Sequence, residues 1–187
     1  MPLQLLNHMT RPLKPPQLRH SCDDFRRGVA TLWIVGFGPA LLALLVLVTE
    51  ISSLWLARIE LETAVESGAL ACVKVWGNLP DTSPSDRTTA EAAGVSFAQA
   101  NTVLGNTFTI APGSVTFGSY ASGTFTAAGP TIPNDGTRAC VVYATVDVPG
   151  LWNGLGGAPR SIQARATARY DSSTSTPRLV RVTTYGP

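Results

Sequence analysis

The stretch that decides how this chain is read runs from Arg26 to Arg58: "RRGVATLWIVGFGPALLALLVLVTEISSLWLAR". No ionisable side chain occurs from Gly28 to Thr49; Glu50 then interrupts, and apolar residues resume at Ile51. Those 22 residues, at about 1.5 Å of rise each, form a helix long enough for the ~30 Å hydrocarbon core of a bilayer. Apolar side chains occur all round it, the pattern of a helix surrounded by lipid or protein. Pro39 follows Gly36 and Gly38 in mid-span, removes one backbone donor and is expected to bend the helix.

The flanks give this segment a direction. Arg11, Lys14, Arg19, Arg26 and Arg27 precede the run, against only Asp23 and Asp24. The positive-inside rule then keeps the N-terminal segment in the cytoplasm and exports everything after Glu50. Trp55 falls near the outer interface, which accommodates both its ring and its N–H. A cleaved signal has a shorter apolar region, of about 7–15 residues, with a small-residue cleavage site close behind. This run is longer and continues into "TEISSLWLARIELE" without a clear site of that kind, which favours an anchor. A soluble core helix is the third reading, and 22 uncharged residues beside paired arginines argue against it.

Composition fits an anchor joined to an uncharged, strand-rich domain. Only 14% of the 187 residues are charged, below the ~25% usual in soluble domains. A net charge of +2 is too small to argue for nucleic acid.

Beyond the span, Ile51, Leu54, Leu61, Val65, Gly68, Cys72 and Val75 recur at spacings of three and four, with Arg58 the polar intruder. That is a narrow apolar seam, and with no proline between Pro39 and Pro80 it predicts one continuous helix over 29–76. The seam can pack on the chain's own C-terminal domain or on a partner. "GNLPDTSPSD" (77–86) reads as a linker of turn formers. An Ala-rich second helix follows, capped by Ser85 or Asp86 and ending near Gly105.

The rest reads as strands. In "CVVYATVDV", Cys140, Val142, Ala144, Val146 and Val148 share one face, and Tyr143, Thr145 and Asp147 the other. In "SIQARATARYD", Ile162, Ala164, Ala166, Ala168 and Tyr170 oppose Gln163, Arg165, Thr167 and Arg169. Such alternation predicts antiparallel strands with one wet face. Weaker strands are expected at 107–110, 114–120, 124–128 and 179–185. The expected fold is α+β: a long N-terminal transmembrane helix continuing into a small antiparallel sheet domain with a second short helix. Its segments are a basic cytoplasmic stretch (1–27), the span (28–49), the helix extension (50–76), the linker (77–86) and the extracytoplasmic domain (87–187).

Catalysis finds little support. Both histidines, His8 and His20, precede the span, so the exported part lacks a Ser-His-Asp or Cys-His set and has few nitrogen ligands for zinc. Its carboxylates are scattered, and no phosphate loop or dinucleotide fingerprint occurs. No catalytic, cofactor or metal residue is assigned, and no small-molecule substrate is evident. Arg165 and Arg169 read as a solvated sheet face, with an anionic-ligand site as the alternative.

Two features fit binding better. Leu151, Trp152 and Leu155 lie among glycines in "PGLWNGLGGAPR" and form either a partner-contact loop or a flap over one end of the sheet. Cys72 and Cys140 would both be exported, where disulfides persist. They form either a bridge between helix and sheet or two buried thiols. Glu50, the membrane-edge carboxylate, either reaches the headgroups unaided or sits beside a cation of a neighbouring subunit.

The segment "RRGVATLWIVGFGPALLALLVLVTEISSLWLARIELETAVESGALA" resembles the N-terminus of the TadE/TadG-like proteins of tight-adherence (Flp-type) pilus assembly. The elements that carry the resemblance are Arg27-Gly28, Pro39, Glu50, Arg58, Leu61, Ala64 and the small-residue run Gly68-Ala69-Leu70-Ala71. "VDVPGL", a glycine loop and "IQARATARY" extend it towards the C-terminus. In prepilin-peptidase substrates of that system a Glu stands five residues after the cleaved glycine. Here that place holds Trp33, which favours an uncleaved, anchored form. The resemblance implies a pilin-like or accessory component that binds and scaffolds. Its partners would be pilus-assembly or pseudopilin proteins and membrane lipid, and its place a single pass through the bacterial inner membrane. An adhesion domain on a signal anchor is the alternative, and an anchored hydrolase a third.

Overall fold

The computed structural model describes residues 21–80, 83–127, 137–150 and 158–186. The chain divides between Leu45 and Val46 into two units. Helix α1 (Ser21–Gly77, 57 residues) crosses that boundary without a break and carries Pro39 inside it. The second helix is α2 (Pro84–Gln99). Six strands follow: β1 (Val115–Ala121), β2 (Thr124–Ala127), β3 (Arg138–Val148), β4 (Arg160–Asp171), β5 (Thr176–Leu179) and β6 (Thr184–Gly186). The architecture is α+β.

In the first unit α1 is apolar and exposed, from Leu32, Trp33 and Ile34 to Leu44 and Leu45. Trp33 and Phe37, one turn apart, stack with ring centroids 4.7 Å apart. Among the described residues α1 is the one helix long and apolar enough to cross a membrane. Its most apolar window has a mean hydropathy of 2.3, and none of that window is buried. A core helix of a soluble domain would be mostly buried, so that reading loses its support.

In the second unit α1 becomes the spine of a core. Leu61, Val65, Cys72, Val73 and Trp76 are fully buried there, against Val142, Val148 and Ala168 of the central strands. The seam therefore packs on the chain's own domain. Three of its members differ from the expectation: Ile51 is 49% exposed, and Leu54 and Val75 are only half-buried. The reason is drift. A strict three-and-four repeat averages 3.5 residues per turn, while a straight helix turns every 3.6, so the buried stripe rotates through Ala57, Ala64 and Ala69.

The sheet order is β5-β4-β3-β1-β2-β6. β3 and β4 pair antiparallel from Ala139↔Arg169 to Val148↔Arg160. This register stacks the alternating faces read from the sequence, with Val142 opposite Ala166 and Ala144 opposite Ala164. The sheet is mixed rather than wholly antiparallel, because β6 runs parallel to β2. β1 and β2 join through Ser122 and Gly123, both at positive φ (49° and 87°), the combination a two-residue hairpin turn needs. Residues 107–110 are irregular, and the single strand expected at 179–185 is two short ones, β5 and β6. The sheet's other face is not simply wet. Phe125, Ala139 and Val141 are buried there beneath Tyr120 and Val182, a small second core.

α2 begins and ends earlier than expected. Ser83 is the N-cap, its hydroxyl accepting from the Ser85 N–H at 3.2 Å, and Pro84 takes the first helical position, where a missing N–H costs nothing. The helix stops at Gln99 because the chain then turns through Val103–Asn106, with Leu104 and Gly105 at φ 51° and 74°. Glu60 of α1 holds this turn by accepting the Leu104 N–H at 2.5 Å.

α1 and α2 meet at Gly68 and Gly94. A Cβ on Gly94 would lie 2.8 Å from the Cys72 Cβ and 3.0 Å from the Gly68 carbonyl. Backbone cannot retreat as a flexible side chain can. Gly94→Leu should cost about 2 kcal/mol, within the range for overpacked cores. Hydrogen exchange checks it: α2 amides should lose protection while β3 amides keep theirs, and unchanged α2 protection would refute the close approach.

Candidate functional site

The second unit gathers its polar and apolar contrasts where α1 enters it. Leu47, Val48, Ile51, Trp55, Leu56 and Ile59 are all about half exposed or more. Leu47, Ile51, Trp55 and Ile59 follow one another at four-residue steps, so they form one ridge on the helix surface. The apolar face of the uncharged run thus continues three turns past its end. On the opposite side Ala57 and Leu61 are buried in the core.

Glu50 sits on the buried side, 5% exposed. Its carboxylate lies 3.5 Å from Nε of Arg160, the first residue of β4, in the same chain. A carboxylate withdrawn from water needs such a cation or it destabilises the fold. Because the Arg160 side chain is 63% exposed, the pair is worth no more than about 1 kcal/mol. Arg160 was not visible as a site residue in the sequence. The signal available was only an arginine directly before an alternating strand, separated by over a hundred residues from the acid it meets.

Arg58 faces outward, its Nε donating to Glu62 one turn on at 2.9 Å. Arg58 and Arg160 border one groove of about 560 Å³, shared with Leu54, Trp55, Ile162 and Gln163. Glu50, Arg58 and Arg160 are thus brought to one end of the domain, from two elements distant in sequence. Leu151, Trp152 and Leu155 lie outside the described residues.

Cys72 and Cys140 face each other between α1 and β3, both fully buried, with Cys140 Sγ 2.6 Å from Cys72 Sγ. The structure does not join them by a disulfide bond. Burial pushes the Cys140 thiol well above its ordinary value, and the neighbouring Cys72 adds to this.

Across the sheet, a second groove of about 420 Å³ is bordered by Phe125, Tyr143, Arg165 and Tyr185. The Arg165 guanidinium lies 4.2 Å from the Tyr185 ring centroid. That stacking holds the arginine flat on the sheet without needing a carboxylate. Among the described residues no group of three or more His, Cys, Asp or Glu side chains could hold a metal ion.

One residue that sequence reasoning missed organises the domain. Arg138, 1% exposed, donates from Nη1 to the carbonyls of Trp76 (3.0 Å) and Leu79 (2.7 Å), and from Nη2 to that of Pro80 (3.3 Å). It therefore closes the C-terminal end of α1, where carbonyls lack partners and the helix dipole favours a cation.

No curated protein and no solved structure matches the chain. Residues 28–73, which hold the uncharged run, Glu50, Arg58 and the start of the buried spine, match the Tad family model, described as "Putative Flp pilus-assembly TadE/G-like". The similarity to that family is confined to this helical segment.

Proposed function

We propose that the chain is a membrane-anchored, pilin-like or accessory component of a tight-adherence (Flp-type) pilus or related secretion assembly, acting by binding and scaffolding. The carrying observation is that the family-matched segment coincides with a helix whose outward face stays apolar beyond Glu50, through Ile51, Trp55 and Ile59. Single exposed apolar residues are ordinary. A continuous ridge extending a membrane run is a contact surface for other helices. In this reading residues 28–49 span the inner membrane once, residues 1–28 are retained, and the domain after Glu50 lies outside the cytoplasm. Leu151, Trp152 and Leu155 supply a second contact, and the partners are other pilus-assembly or pseudopilin proteins together with membrane lipid. The domain works as a rigid carrier and performs no catalysis.

Photo-crosslinking from single positions tests this in cells. A crosslinker at Ile51 or Trp55 should capture pilus-assembly proteins, while one at Lys74, exposed near the far end of α1, should not. Equal capture from all three positions, or none from any, would reject the ridge. Fusions of exported reporters after residue 187 should be active. Glu50→Gln gives a sharper result. The pair with Arg160 is partly exposed, so its loss should leave insertion and protein level normal. It should nevertheless loosen the start of β4 against the ridge, lowering crosslinking from Ile51 and reducing piliation. Normal piliation at normal protein level would return Glu50 to a boundary residue.

The alternative, a signal-anchored adhesion domain unrelated to pili, draws on the groove beside Arg165 and Tyr185, whose aromatic and hydroxyl lining suits a small polar ligand. Normal pili in a strain lacking the protein, with loss of surface attachment, would favour it.

A further inference from the structure

We propose that the groove between α1 and the start of β4 binds the phosphate of an anionic phospholipid from the outer leaflet. This rests on the reading that Gly28–Thr49 spans the membrane with the folded domain outside. The groove, of about 560 Å³, is bordered by Leu54, Trp55, Arg58, Arg160, Ile162 and Gln163. Its two arginines come from different elements, and each has Nε nearest a carboxylate, Arg58 in a 2.9 Å hydrogen bond to Glu62 and Arg160 in a looser 3.5 Å ion pair with Glu50. The Glu62 bond orients the Arg58 guanidinium and Glu50 holds that of Arg160 nearby, and both leave the outer fork, the two terminal amino groups, to meet phosphate oxygens in pairs.

Depth fits the same ligand. Arg58 is eight residues past Glu50, about 12 Å along a helix. The headgroup layer on one side of a bilayer is about 5–7 Å thick. Arginine side chains reach several ångströms towards it while their stems lie on apolar surface. Trp55 shares the groove, and tryptophan is the side chain that interfaces collect. Leu54, four residues past Glu50, lies about 6 Å along the helix from the membrane edge, level with the headgroup layer, and with Ile162 gives the groove an apolar side towards the lipid glycerol. A soluble anion would gain nothing from that apolar half of the groove. Glu50 and Glu62 formally balance the two arginines, so the site selects chiefly by the geometry of its guanidinium donors, and no more than a modest electrostatic preference for anionic over zwitterionic lipid remains.

The test uses full-length protein in nanodiscs with equal phosphatidylglycerol and phosphatidylcholine, followed by native mass spectrometry of the released protein. Wild type should retain one phosphatidylglycerol in about fivefold preference to phosphatidylcholine, the effect of about one well-placed arginine near an anionic surface. R58Q/R160Q should bring that preference to parity. Q163E keeps both arginines, adds a carboxylate to the groove and should also lower retention; if the double variant misfolds by circular dichroism, Q163E decides alone. Unchanged retention in the folded variants would overturn the proposal. So would displacement of the lipid by millimolar inorganic phosphate, which would assign the groove to a free anion. Loss of crosslinks to pilus proteins in R58Q/R160Q with lipid retention intact would assign it to a protein partner and overturn it too. Failure to enter the nanodiscs at all would instead count against the membrane span.

Discussion

Protein recovered from membranes without reductant is expected to carry Cys72 and Cys140 as one disulfide, and opening that bridge should cost about 4 kcal/mol of stability. The two cysteines close a loop of 68 residues, and the loss of chain entropy in the unfolded state grows with the logarithm of loop length. The chemistry is a two-electron oxidation. On the proposed topology, two thiols lose two protons and two electrons to a disulfide-bearing oxidant outside the cytoplasm, which becomes a dithiol. Timing follows from burial. In the folded domain both sulfurs are inaccessible, and burial holds the Cys140 thiol protonated, so it is a poor nucleophile once packed. Bridging therefore belongs to the folding phase, when α1 and β3 first meet. Thiol labelling under denaturing, non-reducing conditions should modify Cys22 alone, and labelling of all three cysteines would reject the bridge. A pH series adds an independent sign. In the reduced protein the Cys140 value is raised on folding, so stability is complete below the ordinary thiol range and falls as pH rises above it. The oxidised protein has no such proton to release and should lack that slope.

Replacing Arg138 is the second large effect. Its three hydrogen bonds to the carbonyls of Trp76, Leu79 and Pro80 are made by a charged donor out of contact with water. Its guanidinium also lies 5.3 Å from the Trp76 ring centroid. Removing it orphans the end of α1 and opens space beside the largest buried side chain, so Arg138→Ala should cost about 3 kcal/mol. For a chain of this size that lowers the melting temperature by about 6–12 °C. Arg138→Lys keeps the charge, yet an ammonium cannot present two separate nitrogens to three carbonyls, and about half the loss should remain. Thermal unfolding of the full chain in nanodiscs measures both. A shift under 2 °C for Arg138→Ala would mean that α1 ends without this arginine's help.

The candidate site was legible in part. Glu50 and Arg58 stood out because an ionisable group beside an uncharged run is conspicuous in any sequence. Cys72 and Cys140 stood out because each lies on an apolar face of its own element. Arg160 and Arg138 did not. Each is an arginine at the first position of a strand, where an exposed charge is ordinary, and nothing nearby in sequence marks one as half-paired at the surface and the other as buried.

What the sequence determined by itself was everything set by short-range periodicity. The uncharged run from Gly28 to Thr49 fixed a membrane-length helix. The absence of proline after Pro39 carried that helix on to Gly77, and period-two alternation drew the two faces of β3 and of β4. These are properties of neighbours along one chain, and their energies are local. The tertiary structure decided what lies between elements. It chose Ser83 over Ser85 or Asp86 as the cap, set β6 parallel to β2, covered part of the supposedly wet face, and brought Arg160 to Glu50 and Arg138 to the end of α1. Each of these outcomes depends on the distance between groups far apart in sequence. The packing of Gly68 on Gly94, and of α1 on the sheet, belongs to this long-range order, which no local pattern encodes.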